Sequence, residues 1–309
     1  MDKILVNIDF KYDNAGLLDK AILLAKQHSA VIELFNCCYN RGITQGYMFD
    51  KAAEQRAEHA YIRQTEAKLE ALSERVEAAG VKVSFDVCWE RHQVEGVLRK
   101  VLRFEPDLLI HGVQPHRGIG HYLFAPIDWL IARKSPVPVL FVKQKPWKDI
   151  LRIAACVDPF HQGDEQGKID KVILKKAQMF ITDNLSEQRV LHCFNTLPHE
   201  AIFDEHMVTD YAALQERVEK EHVKRCNRLL AEFGLSVDSE LVDIIKGEAE
   251  SVISQYAEQK GIDVLVMGAV ARGMFDRLLL GSTMEKVVDD VDCDVLIVKG
   301  PDFKCPVVE

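Results

Sequence analysis

The 309-residue chain reads as an α/β protein of two tandem units, each a five-stranded parallel sheet with helices on both faces. Three observations predict this. Short apolar runs alternate with longer amphipathic segments, as they do when helices link parallel strands. The same blocks occur twice in the same order: KILVNIDF (3–10) with RIAACVDPF (152–160), ELFNCCYN (33–40) with HCFNTLPH (192–199), DLLIHG (107–112) with DVLVMG (263–268), and PVLFVK (138–143) with DVLIVK (294–299). The last two pairs share one offset, Asp107 with Asp263 and Lys143 with Lys299, which marks a duplicated domain. The length also suits two domains of roughly 100–200 residues each. Pro146 and Trp147 within KQKPWKDI (143–150) mark the boundary, giving domains 1–146 and 147–309.

The elements of the first unit follow in order. KILVNID is a short apolar strand. Residues 14–28 form a helix with a capping residue at the start and Leu17, Leu18, Ala21, Ile22 and Ala25 on one face. VIELFNCC (31–38) is the next strand. Residues 51–79 form a long helix, charged on one face and ended by Gly80. VKVSFDVCW (81–89) alternates, placing Val81, Val83, Phe85 and Val87 on one side of a strand. VEGVLRKVLRF is helical, DLLIHG is a strand, and PVPVLFVK closes the unit. In such sheets a ligand lies at the carboxyl ends of the strands, where the strand order reverses. The positions to inspect are therefore Asp9 and Gly112 in the first copy and Asp158 and Gly268 in the second.

Composition narrows the function. Apolar residues make up 48% and charged residues 28%, so each half can build a core. A net charge of -9 argues against a nucleic-acid binder and against docking on an anionic membrane. MDKILVNIDF is not a leader peptide, and no apolar run reaches the ~18–20 residues of a membrane span, so a soluble cytoplasmic protein is expected. The eight cysteines form no CxxC pair and read as reduced, mostly buried residues; Cys37 and Cys38 are adjacent at a strand end.

In the second copy, MGAVARGMFDRLLLGST (267–283) leads from the fourth strand to the last helix. Amides at a helix N-terminus bind phosphate. Gly281 permits close approach, Ser282 and Thr283 add hydroxyls, Arg272 adds charge, and Asp158 can accept from ribose hydroxyls. This pattern resembles the universal stress protein family, whose nucleotide-binding members carry G-x2-G-x9-G-[S/T]. Here it reads Gly268-x2-Ala271-x9-Gly281-Ser282. The duplication, the FAPIDW block (124–129), the KPW linker and the ending DFKCPVV are similar to the tandem E type of that family. The resemblance spans the whole chain. It implies a flavodoxin-like, adenine nucleotide alpha hydrolase-like unit that binds ATP, ADP or AMP (with Mg in the case of ATP) in some members and nothing in others. It points to Asp158, Met267, Gly268, Ala271, Arg272, Gly281, Ser282 and Thr283 as the nucleotide-binding residues. Ala271 stands where the family has glycine. If that position needs a positive φ, alanine costs about 1 kcal/mol or more.

The first copy departs further. Gly112 is followed by Pro115 and then Ala125-Pro126, and proline removes an amide donor, so the site built on Asp9, Gly112, Pro115, Ala125 and Pro126 is degenerate. His111, His116 and His121 share that loop with Arg117, but their spacing is not a ligand spacing, and no metal site is predicted. GDEQGKI (163–169) has the wrong spacing for a phosphate loop, GIGHYL (118–123) lacks the third glycine of a dinucleotide fingerprint, His199-Glu200 lacks the second histidine of HExxH, and no G-x-S-x-G elbow occurs. Three functions stay open: a stress-response protein acting by nucleotide binding, a slow ATPase or nucleotide-processing enzyme, and an interaction protein with both sites vestigial. No catalytic residue is predicted. The final strands PVLFVK and DVLIVK, each an apolar sheet edge, are expected to pair the two copies as an intramolecular pseudo-dimer, with a homodimer also open.

Overall fold

A computed structural model describes residues 1–47, 49–113, 126–160, 167–182, 185–195, 211–269 and 282–308. The chain divides into two compact units. Unit 1 comprises Met1–Trp147 with Asp302–Glu309, and unit 2 comprises Lys148–Pro301. The C-terminal segment thus groups with unit 1, although chain order places it after unit 2.

Unit 1 contains β1 (Lys3–Asn7), α1 (Ala15–His28), β2 (Val31–Cys38), α2 (Arg41–Gly46), α3 (Lys51–Ala78), β3 (Val83–Trp89), α4 (Gln93–Phe104), β4 (Leu108–Gly112), α5 (Pro126–Lys134) and β5 (Val139–Val142). Its strands lie in the order β3-β2-β1-β4-β5, each pair parallel. Unit 2 contains β6 (Leu151–Cys156), α6 (Lys168–Ala177), β7 (Ser186–Phe194), α7 (Tyr211–Ala231), β8 (Val242–Lys246), α8 (Ala249–Gln259), β9 (Val264–Gly268), α9 (Ser282–Asp290) and β10 (Asp294–Val298), with a short 3-10 turn after α6. Its order, β8-β7-β6-β9-β10, repeats that of unit 1, again all parallel. Flavodoxin itself runs 2-1-3-4-5. Here the order is 3-2-1-4-5, so the reversal falls between β1 and β4 in unit 1 and between β6 and β9 in unit 2.

The central strands bury both faces, which is why they read as continuous apolar runs. Ile4, Leu5, Val6, Ile32, Leu34, Leu108, Leu109 and Ile110 are fully buried in unit 1, as are Ile153, Ala154, Ala155, Val264, Leu265 and Val266 in unit 2. Each such valine, leucine or isoleucine contributes roughly 1.5–3 kcal/mol of transfer free energy. The aspartates shared by the repeat have a structural task. Asp107 Oδ2 accepts from the amides of Asp2 (2.6 Å) and Lys3 (3.1 Å), and Asp263 Oδ2 accepts from the amide of Arg152 (3.0 Å). Each carboxylate therefore pins the start of a fourth strand to the start of a first strand.

Local signals translate unevenly. Asp50 caps α3, its Oδ1 accepting from the Ala53 amide at 2.9 Å, and Gly80 beyond the helix takes φ +82° as a helix-ending glycine should. Asn14 precedes α1 but does not cap it with its side chain. Its Nδ2 donates instead to the carbonyls of Asp9 and Tyr12, both at 3.0 Å. The alternation in 81–89 does not give a buried stripe either. Phe85 is 37% exposed, because β3 is an outer strand only partly covered by α3. The short helix α2 had no clear sequence signal.

Candidate functional site

In unit 2 the strand reversal brings together the ends of β6 and β9. Asp158 lies two residues beyond β6. Its amide donates to the buried Asp170 Oδ1 of α6 at 2.8 Å, and its own Oδ1 accepts from the Phe160 amide at 3.2 Å. These bonds hold the turn so that the Asp158 side chain is exposed at the sheet's carboxyl end. Met267 is 6% exposed, a core side chain in β9, so only its main chain is placed to meet a ligand. Gly268 closes β9. A Cβ there would lie 2.7 Å from Ile169 Cγ1 and 3.2 Å from Ile173 Cδ1, so the missing side chain lets α6 approach the sheet. Its φ is outside the left-handed region. Ser282 and Thr283 form the first turn of α9, which runs back from the strand carboxyl ends toward β10. Ala271, Arg272 and Gly281 lie outside the described residues.

A ring stack that the sequence did not disclose borders Asp158. The His222 imidazole of α7 lies 4.0 Å from the Phe160 ring and 4.5 Å from the Phe194 ring, centroid to centroid. The Arg225 guanidinium lies 4.1 Å from the Phe160 centroid. His192, near the end of β7, bonds the Val157 carbonyl through Nδ1 at 3.0 Å and His222 Nδ1 through Nε2 at 2.8 Å. Burial lowers the His192 pKa, and burial together with the neighbouring His192 lowers that of His222 to about 4. Both rings are therefore neutral at pH 7. A carbonyl can only accept, so His192 Nδ1 carries the proton, its Nε2 accepts, and His222 Nδ1 donates. Burial, and then the negative charge of Asp158, push the Cys193 thiol up to about 12. Both cysteines of this region, Cys193 and Cys226, are held as inert thiols.

Unit 1 is built differently at the same place. Asp9 makes the same turn bond as Asp158, its Oδ1 accepting from the Lys11 amide at 2.9 Å, but it is only half-buried where Asp158 is exposed. Gly112 ends β4, and Pro126 is the first residue of α5, the position that Ser282 holds in α9. Pro115, Ala125, His116, Arg117 and His121 lie outside the described residues. His111 is buried, and both its ring nitrogens are engaged, Nδ1 with Asn7 Nδ2 (2.8 Å) and Nε2 with Asp128 Oδ1 (2.7 Å). It belongs to a buried polar trio beneath α5. With asparagine, which has no nucleophilic oxygen or sulfur, in the place of a nucleophile, the trio is not a catalytic triad. The corresponding residues of unit 2, by strand register and helix position, are Cys156, Met267 and Met284. Among the described residues no cluster of three or more His, Cys, Asp or Glu could hold a metal ion.

Comparison with known proteins follows the same duplication. The model of the universal stress protein family matches residues 1–143 and again 163–299. Universal stress protein E of Photorhabdus laumondii is 23% identical over 306 residues, covering 98% of this chain and 96% of that protein. Universal stress protein E of Salmonella typhi is 25% identical over 309 residues with the same coverage. A functionally unknown protein of Pseudomonas aeruginosa PAO1 has a crystal structure similar in fold, with TM-score 0.74, 24% identity, and coverage of 97% of this chain and 93% of that one.

Proposed function

The chain belongs to the universal stress protein family, and from that premise we propose that it is a cytoplasmic stress-response regulator whose second unit binds an adenine nucleotide, ATP, ADP or AMP, and acts by binding without turnover. The observation that carries this reading is the first residue of the last helix in each unit: Ser282 in α9, Pro126 in α5. First-turn amides have no intrahelical acceptor and carry partial positive charge, so they suit phosphate. Ser282 retains its amide hydrogen, and proline has none. Asp158, exposed across the reversal from β9, supplies an acceptor for ribose hydroxyls. The Phe160–His222–Phe194 stack beside it offers planar apolar surface of the kind a base lies against. With ATP, magnesium would travel on the phosphates. Among the described residues no helix is long and apolar enough to cross a membrane.

Calorimetric titration of the full chain with ATP, ADP and AMP, with and without magnesium, tests the reading. Ser282→Pro is the informative variant. Proline is well tolerated at the first position of a helix, and α5 already carries it there. The variant should keep its circular dichroism and thermal transition. Loss of one charge-assisted hydrogen bond, about 1.5–3 kcal/mol, should weaken affinity roughly 10–100-fold. An unchanged Kd in the folded variant refutes the phosphate assignment, and absence of binding by the parent refutes the reading altogether.

A further inference from the structure

Three cysteines meet at the carboxyl ends of β2 and β3 in unit 1, apart from the strand reversal. Cys37 and Cys88 are register partners on these parallel strands, so their side chains leave the same face of the sheet. Neighbouring strands about 4.8 Å apart bring such partners within the Cα separation that a disulfide spans. Their sulfurs converge on one residue of α4. A Cβ on Gly96 would lie 2.5 Å from Cys37 Sγ and 3.1 Å from Cys88 Sγ, so the two thiols fill the space a side chain would take. A glycine inside a helix costs about 1 kcal/mol relative to alanine, and here it makes room for the sulfur pair. Cys38 points to the other face, toward Thr65 of α3.

Unit 2 lacks the arrangement. Cys193 holds the place of Cys37, since Asn36 and His192 just before them bond the equivalent carbonyls of Ile8 and Val157. Its register partner is Ile245, and the fourth residue of α8 is Val252 where α4 has Gly96. One cysteine of the pair and one glycine thus differ together between the copies, Cys88 against Ile245 and Gly96 against Val252.

We propose that Cys88 and Cys37 form a peroxide-oxidisable dithiol site, Cys88 as the attacking sulfur and Cys37 as the resolving one. Their environments divide the roles. Cys88 is partly exposed, whereas Cys37 is 7% exposed. The Cys37 thiol hydrogen reaches either the Glu90 carbonyl, at 3.6 Å, or the Cys88 sulfur. The second contact favours a thiolate at Cys88 and lowers its pKa, and Arg103 acts in the same direction, against burial and the charges of Asp86 and Glu90. Donating that hydrogen bond, and burial, raise the Cys37 pKa. The Cys88 thiolate attacks one oxygen of hydrogen peroxide. The O–O bond breaks, hydroxide leaves, and Cys88 becomes a sulfenic acid. Cys37 sulfur then attacks Cys88 sulfur. The S–S bond forms, the S–O bond breaks, and the departing hydroxide takes the Cys37 proton as water. Two thiols lose two electrons, and peroxide is reduced to water.

The test uses the full chain, reduced and then exposed to substoichiometric hydrogen peroxide, quenched by alkylation and digested without reductant. A peptide joining Cys37 to Cys88 should appear ahead of any other cysteine oxidation and vanish on treatment with dithiothreitol. Cys38→Ser should leave it intact, and Cys88→Ser should abolish it. Cys37→Ala should trap Cys88 as a sulfenic acid that dimedone labels. Because a substitution at the buried Cys37 could impair folding, native alkylation of the parent gives an independent reading: at pH 7 iodoacetamide should modify Cys88 about tenfold or more faster than Cys193. A link through Cys38, alkylation of Cys88 no faster than of Cys193, or oxidation spread evenly over the cysteines overturns the proposal.

Discussion

Gly268 stands in the predicted nucleotide motif and also at a packing contact, and a single methyl group distinguishes the two roles. In Gly268→Ala the new Cβ would lie 2.7 Å from Ile169 Cγ1, 3.2 Å from Ile173 Cδ1 and 3.3 Å from Ile169 Cδ1. The first distance is far inside van der Waals contact, and Cγ1 is not the free end of a flexible chain. Backbone strain adds nothing, since φ at Gly268 is not left-handed. Relief therefore requires α6 to move or Ile169 to leave its rotamer, and overpacking of this kind costs about 1–3 kcal/mol. For a unit of this size that lowers Tm by roughly 3–10 °C. Scanning calorimetry is the appropriate assay, because Trp89, Trp129 and Trp147 all lie in unit 1 and their fluorescence does not report on unit 2. Ile169→Ala alone should cost about 2–5 kcal/mol, as it empties a buried site. In that background the alanine at 268 should cost little or nothing, a coupling of about 1–3 kcal/mol. A Gly268→Ala protein with the parental Tm refutes the crowding argument. If that protein has also lost nucleotide affinity, the glycine serves the ligand and not the helix.

Two further perturbations follow from buried charge. Lys100 is 6% exposed and bonds both Glu33 and, at 2.9 Å, Asp86, so Lys100→Met strands a buried carboxylate and should destabilise by about 3–5 kcal/mol, read as a lower Tm, with partial recovery in Lys100→Met/Glu33→Leu. In unit 2, burial and His192 hold the folded-state pKa of His222 near 4, below the ordinary 6.5. Protons therefore prefer the unfolded chain between those values, and stability that is complete above pH 6.5 declines as pH falls toward 4. His222→Phe keeps a ring between Phe160 and Phe194 but cannot titrate, so its Tm should fall less steeply than the parent's over that interval; equal slopes would show that His222 contributes nothing to the acid sensitivity.

The strands and the duplication were legible because their causes are local. Buried parallel strands must be apolar along their length, and Asp107 and Asp263 recur because each pins neighbouring strands in its own copy. The polar trio of unit 1 was not legible in the same way. Asn7 and His111 are 104 residues apart, His111 and Asp128 are 17 apart, and only the 3-2-1-4-5 order brings them together. No spacing rule encodes such contacts. A comparison of the two copies, position by position, does carry a signal. Asn7 stands against Cys156, His111 against Met267 and Asp128 against Met284. A buried polar group without a partner costs about 1–3 kcal/mol, so a polar residue where the duplicate is apolar implies a partner nearby. Three such disagreements in one unit imply that the partners are one another. The same comparison sets Cys88 against Ile245 and Gly96 against Val252, where a small residue and a thiol replace two aliphatic side chains together. In a duplicated protein the shared positions therefore report the fold, and the correlated differences report what each copy has built on it.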